Sequence, residues 1–294
     1  MPSLDDLRKR ISSVKSTQKI TKAMKMVAAA KLRRAQERAI SGRPYSEKMN
    51  TIIVNLRKSV PDEKNAPILL VGNGKDETHL CVVITADRGL CGSFNTNIVK
   101  KAKSYINKII SSGKKIKILN VGTKGYNQLK RNFGKYIVKN ISFKEVKNIG
   151  FFEAEKVGKE ILKLFNEQAF DKCIIFYNRF KNVITQIPQE QQIIPYEKIE
   201  EKQSNDDQDL GNYEYEPEVE EILEELLPKN ISTQIFKAFL ENSASEQGSR
   251  MAAMDSATRN AGDLVDKLTI NYNRSRQASI TKELIEIISG AESL

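Results

Sequence analysis

Between residues 7 and 36 the chain carries ten lysines and arginines, no acid, and neither glycine nor proline. At its heart stands Gln18-Lys19-Ile20-Thr21-Lys22-Ala23-Met24-Lys25-Met26-Val27-Ala28-Ala29-Ala30-Lys31. Nothing there breaks a helix, and from 3 to about 58 only Gly42 and Pro44 punctuate the pattern. Ser3 suits an N-cap, and Asp5 and Asp6 sit in the first turn, where the helix dipole favours acids. Leu4, Leu7, Ile11 and Val14 follow at alternating spacings of three and four, the mark of a helix–helix seam. The register fails at Gln18, Thr21 and Lys25 and resumes at Ala28, Leu32, Ala35 and Ala39. Between them the apolar positions move to Ile20, Ala23, Met24 and Val27, a phase slip that predicts a helix changing what it faces along its length. Roughly 55 residues at ~1.5 Å each would reach about 80 Å, far beyond an ordinary helix.

The other end matches it. From 218 to about 289 helix formers dominate, with Pro217 suited to a first turn and Pro228 expected to mark a kink or a break between two helices. Beyond Pro228, Phe236, Leu240, Ser243, Gln247, Met254, Ala257, Ala261, Leu264 and Leu268 fit a seven-residue repeat with small members. The middle differs. Runs at 79–85, 116–121, 136–143, 172–177 and 183–194 read as strands, the first three separated by helical stretches and 152–168 giving another helix. Alternation of this kind implies a mostly parallel sheet, with the last two strands antiparallel across their short connection.

The expected fold is α/β plus a long antiparallel coiled coil. Terminal helices at 1–60 and 217–294 would form a rod around a central Rossmann-like α/β foot domain at 76–216. Within that domain 197–211, acidic and poor in apolar residues, reads as a mobile loop, and Asn212-Tyr213-Glu214-Tyr215 as a short strand.

The net charge of +11 is supplied entirely by residues 1–60, where fifteen Lys/Arg face Asp5, Asp6, Glu37 and Glu47. Residues 197–225 answer with thirteen acids against Lys198 and Lys202. The basic, Ser-containing start can imitate a mitochondrial transit peptide, but Asp5, Asp6 and the continuing helical pattern favour mature protein. Cys81, Cys91 and Cys173 are odd in number and lack CxxC spacing, which suits a reducing compartment. Cys81 and Cys173 lie in apolar runs, leaving Cys91 as the one candidate reactive thiol. A lone histidine, His79, excludes His-based metal sites and most catalytic triads.

Val71-Gly72-Asn73-Gly74-Lys75-Asp76 imitates a phosphate loop, yet Leu69 and Asp76 stand where that loop needs Gly and Ser/Thr. Gly89-Leu90-Cys91-Gly92 lacks the dinucleotide spacing and reads as a tight turn. No catalytic residue, cofactor or metal is expected. A basic coiled coil that binds nucleic acid is the alternative reading, weakened by the lack of zinc or RNP motifs and of aromatics interleaved in the basic arm.

Three blocks carry a resemblance over the whole chain. They are 16–29 within the segment quoted above; Thr85-Ala86-Asp87-Arg88-Gly89-Leu90-Cys91-Gly92-Ser93-Phe94-Asn95; and 241–284, with Glu241-Asn242-Ser243-Ala244-Ser245-Glu246-Gln247, Arg250-Met251-Ala252-Ala253-Met254-Asp255 and Arg276-Gln277-Ala278-Ser279-Ile280-Thr281. In these blocks the sequence resembles the γ subunits of the F-type ATP synthase, the central rotor shafts. The resemblance implies a non-catalytic torque-transmitting subunit. It would be present in single copy, with α and β subunits of the catalytic hexamer, the ε subunit and the membrane c-ring as partners, and peripheral to the cytoplasmic face of a bacterial inner membrane.

Carried across by position, Lys22, Met24 and Lys25 would face a β-subunit lever segment. Arg276 and Gln277 would engage a catch loop, with Arg250 also on the shaft surface. Ile280, Leu284, Ile287 and Ile288 would turn in an apolar sleeve, and Tyr213, Glu214, Tyr215 and Glu216 would meet the c-ring and ε. The regulatory dithiol of chloroplast members is missing, since no paired Cys falls between Asn182 and Leu227.

Overall fold

The computed structural model describes residues 3–59, 67–146, 149–196 and 219–292. Among these the elements run α1 (Leu4–Ser59), α2 (Ile68–Val71), β1 (Thr78–Ile84), α3 (Phe94–Ser111), β2 (Lys115–Val121), α4 (Thr123–Phe133) and β3 (Ile137–Ile141). Then follow α5 (Phe151–Asn166), β4 (Lys172–Phe180), β5 (Gln186–Ile194) and α6 (Val219–Glu292). The chain divides into two compact units, one of Lys31–Ser249 and one of Met1–Ala30 with Arg250–Leu294.

The larger unit holds a five-stranded sheet in the order β3-β2-β1-β4-β5. β1 pairs in parallel with β2 and β4, β2 in parallel with β3, and β5 lies antiparallel on β4. The apolar run of β1 explains its central place, because a strand covered on both faces has no polar side. Leu80, Val82 and Ile84 face Ala154, Val157 and Ile161 of α5 and Ile231, Ile235 and Phe239 of α6. On the other face Cys81 and Val83 meet Phe94, Ile98 and Ile106 of α3 and Leu129 of α4. A third cluster joins Met49, Ile53 and Leu56 of α1 to Leu223 and Leu227 of α6 and to Leu70 of α2. At Gly122, φ +99, a Cβ would lie 2.2 Å from the Thr85 carbonyl oxygen, so only glycine lets β2 turn into α4 beside β1.

Neither proline breaks its helix. α1 runs through Pro44 and α6 through Pro228, which corrects the expected break at the latter. A helical proline leaves the carbonyl four residues earlier without its donor. Those carbonyls belong to Ile40, 63 % exposed, and to exposed Glu224, where water can take the donor's place.

In the smaller unit the two helices pair antiparallel. Arg8 donates to the Tyr272 hydroxyl at 3.0 Å, Thr258 to Thr21 at 2.8 Å, and Lys25 to Asp255 at 2.6 Å. Leu7, Ala28, Met254 and Ala261 are buried in the seam, and a Cβ on Gly262 would lie 3.0 Å from Gln18 Nε2. This corrects the expected phase slip. Gln18, Thr21 and Lys25 keep their seven-residue register and face α6 as polar seam members, while Ile20 and Val27 stand 60 % and 55 % exposed. The helix does not turn; its apolar stripe leaves the seam and faces outward.

Candidate partner-binding surface

Three features set the surface of the smaller unit apart. The first is the outward stripe of Ile20, Ala23 and Val27, with Met24 half-buried beside it and Met26 61 % exposed. The second is charge: Lys9, Arg10, Lys15, Lys19 and Lys22 are all exposed around that stripe. The third is length. Because Arg8 lies opposite Tyr272 and α1 begins only four residues before Arg8, the last roughly 16 residues of α6 (about 24 Å) have no α1 opposite them. Along that overhang Ile280, Leu284, Ile287 and Ile288 are 49, 53, 69 and 55 % exposed, at spacings that place them on one face. So many exposed aliphatic side chains on one helix are the ordinary sign of a protein interface.

The candidate residues are not equivalent. Lys22 points its charge outward, whereas Lys25 is committed to Asp255, holding that carboxyl below the usual carboxylate range through its hydrogen bond. Asp255 also takes Arg259 at 3.2 Å. Arg276 and Gln277 are exposed and Arg250 is half-buried. Tyr213, Glu214, Tyr215 and Glu216 lie outside the described residues, as does the 197–211 loop. Sequence reasoning missed Asp255, and the exposure of Ile20 and Val27 that follows from an unbroken seam. Thr21 and Lys25 stand at the repeat positions of α1, but Asp255 and Thr258 fall one residue off the repeat read for α6, whose Leu264 is 46 % exposed.

In the larger unit, polar clusters tie the fold together. Asp87 accepts from the Thr123 amide at 2.8 Å and its hydroxyl at 2.6 Å, from the Ser142 hydroxyl at 2.7 Å and from the Phe143 amide at 3.0 Å. Burial pushes that carboxyl up, but these donors outweigh it and leave it below the usual range. Asp171 is held down in the same sense, burial being outweighed by Asn73 and by the Thr78 and Glu77 amides.

His79 is buried between Tyr105 and Asp76, each 2.7 Å from a ring nitrogen, and Asp76 also pairs with Lys114 and Lys172. Burial lowers the His79 pKa against the pull of Asp76. Cys91 is buried too, 2 % exposed with its sulfur accepting from Asn95, which argues against its reading as the candidate reactive thiol. Among the described residues no three His, Cys, Asp or Glu side chains gather as a metal site would need, and no helix is long and apolar enough to cross a membrane.

A pair of long antiparallel helices with an outward apolar stripe, joined in sequence to an α/β unit, defines a class of proteins that combine a coiled coil with a doubly wound sheet. A family model described as ATP synthase matches residues 3–294. Two relatives named ATP synthase gamma chain are similar over the full length of both chains, that of Pelagibacter ubique at 70 % identity and that of Rhizobium etli at 56 %. Among solved structures, the central stalk and c-ring of the Tetrahymena thermophila mitochondrial ATP synthase holds a chain of TM-score 0.63 and 28 % identity, covering 81 % of this chain and 99 % of that one. A chain of the Euglena gracilis enzyme, solved as OSCP, F1 and c-ring, shares the fold at TM-score 0.68 and 22 % identity, over 99 % and 94 %. The chain belongs to the ATP synthase gamma chain family.

Proposed function

We propose that this chain is the central stalk subunit of a rotary ATP synthase, carrying torque between a membrane c-ring and the catalytic hexamer of α and β subunits. Family membership supports it, and nothing in the comparisons favours the nucleic-acid reading. The observation that carries it is the smaller unit itself: an apolar, basic and unequal surface on paired helices whose seam is already satisfied. A shaft with unequal sides contacts three catalytic sites differently as it turns, and differential contact is what biases each site between conformations.

In this reading the chain has no catalytic residue of its own. It acts in single copy with an ε subunit and sits peripherally on the cytoplasmic face of a bacterial inner membrane. Residues 76–216 serve as its foot domain, and 1–60 with 217–294 as its helical parts. Lys22, Met24 and Arg276 with Gln277 contact the hexamer. Ile280, Leu284, Ile287 and Ile288 bear on an apolar wall, and 213–216 contact the c-ring side. Lys25 serves the shaft internally through Asp255.

The test is reconstitution of the complete complex in sealed vesicles. The purified chain alone is expected to hydrolyse no ATP, while the complex containing it hydrolyses ATP and pumps protons. Met24→Lys, placing a charge on the outward stripe, is expected to lower protons pumped per ATP. Turnover by the chain alone, or failure to co-purify with α and β subunits, would refute the proposal.

A further inference from the structure

In an open α/β sheet, small ligands bind outside the carboxyl ends of the strands where the strand order reverses. Here that point lies between β1 and β4, since the chain proceeds from β1 outward to β2 and β3 and then returns to β4 on the other side. The place is filled by the chain's own α6. Asn242 Nδ2 donates to the Ile84 carbonyl at the end of β1 at 3.1 Å, and its Oδ1 accepts from the Asn178 amide of β4 at 3.0 Å. The Ser245 hydroxyl donates to the Asn178 carbonyl at 3.2 Å, and the Ser249 hydroxyl to the Cys91 carbonyl at 2.6 Å.

Glu241 accepts from the Phe180 amide at 2.9 Å with one oxygen and from Arg43 Nε and Nη2 of α1 at 2.9 and 2.8 Å with the other. Glu241, Asn242, Ser245 and Ser249 are all buried. The approach is close, for a Cβ on Gly248 would lie 3.1 Å from the Phe180 ring.

This contact differs in kind from the rest of the α6 docking. Ile231, Ile235 and Phe239 hold the helix to the sheet by apolar contact, which has area but little direction. The polar ladder has direction. It bonds backbone groups of two strands and a loop, and Glu241 brings in α1 as well. Rotating α6 about its own axis, or sliding it along, would strand buried donors and acceptors.

We propose that Glu241, Asn242, Ser245 and Ser249, with Arg43, form the torsional joint through which the α/β unit drives the long helices. These are positioning residues that touch no nucleotide. The inference rests on the stalk reading above, and adds where within the chain the torque is handed over.

The experiment compares variants in the reconstituted complex, reading ATP hydrolysis and ATP-driven proton pumping together. Asn242→Leu keeps the branched shape and removes both bonds. It is expected to leave hydrolysis within about twofold while protons pumped per ATP fall several-fold. Ile235→Ala, a destabilising change in the apolar contact, is expected to keep the wild-type ratio. An unchanged ratio in Asn242→Leu, or an equal loss in Ile235→Ala, would overturn the joint.

Should Asn242→Leu fail to co-purify, Ser249→Ala takes its place, deleting one hydroxyl; a smaller drop supports the joint and an unchanged ratio overturns it. Failure of the wild-type chain to support pumping would instead sink the stalk reading.

Discussion

The two units solve the burial of long helices in opposite ways. In the larger one, α1 and α6 find apolar partners at Met49, Ile53, Leu56, Leu223 and Leu227, and α6 also covers a sheet face. In the smaller one the same two helices have only each other, and the centre of their seam is polar, with Thr21 on Thr258 and Lys25 on Asp255. The apolar residues that an ordinary coiled coil would spend on the seam stand outside it instead. A protein can thus keep its sticky surface for partners by satisfying its internal contacts with hydrogen bonds.

That contrast is easiest to break with a pair of truncations. Phe176→Ala, fully buried under α3, is expected to cost about 3–5 kcal/mol in denaturant unfolding of the isolated chain, whereas Ile20→Ala is expected to stay within ~0.5 kcal/mol. Comparable losses would mean that the outward stripe is part of the chain's own core.

Next in size is Asp87→Asn, which weakens the acceptor for Thr123, Ser142 and Phe143 and is expected to cost about 1.5–3 kcal/mol at neutral pH. The folded carboxyl titrates below its ordinary value, so its stabilisation is present above about pH 4 and is lost as pH falls through the folded pKa. The gap between wild type and Asp87→Asn should therefore close in acid, and a gap that widened there would contradict the assigned bonds. His79 adds to the acid sensitivity higher up the scale. With its folded pKa depressed, stability falls as pH drops from about 6.5 toward that lower value.

The seam itself gives a smaller, diagnostic effect. Thr21→Val is expected to cost no more than about 1 kcal/mol, because Thr258 keeps its bond to the Met254 carbonyl at 2.7 Å, and Thr21→Val with Thr258→Val is expected to cost less than the two single losses summed. Additive losses would deny that the two hydroxyls are coupled.

Smallest of all on the isolated chain is Ile288→Ser, expected to change thermal stability by less than ~0.5 kcal/mol. In the assembled complex the same change is expected to weaken retention of the chain by α and β subunits, and equal retention would remove Ile288 from the interface.

Much of the fold was legible because its signals are local. The β1 run begins at Thr78 instead of His79 and β5 at Gln186 instead of 183, shifts that leave the alternation intact. Pro228 misled because a proline's cost depends on who can reach the orphaned carbonyl, and exposure at Glu224 is a tertiary fact. The apparent phase slip misled for a related reason. Hydropathy treats Gln18, Thr21 and Lys25 as surface residues, and only a partner more than 200 positions away reveals them as seam. The buried His79–Asp76–Tyr105 group left no sequence signal beyond a histidine at a strand start.

The pairing of Lys25 with Asp255 also bears on how the ends of the chain find each other. A slip of one heptad in either direction would set Lys25 against Gly248 or Gly262, neither of which has a side chain to accept its protons. Leucine at every such level would tolerate the error, since one aliphatic rung is much like the next, whereas a single charged rung admits one alignment. Segments more than 200 positions apart in the sequence are thereby brought into one register.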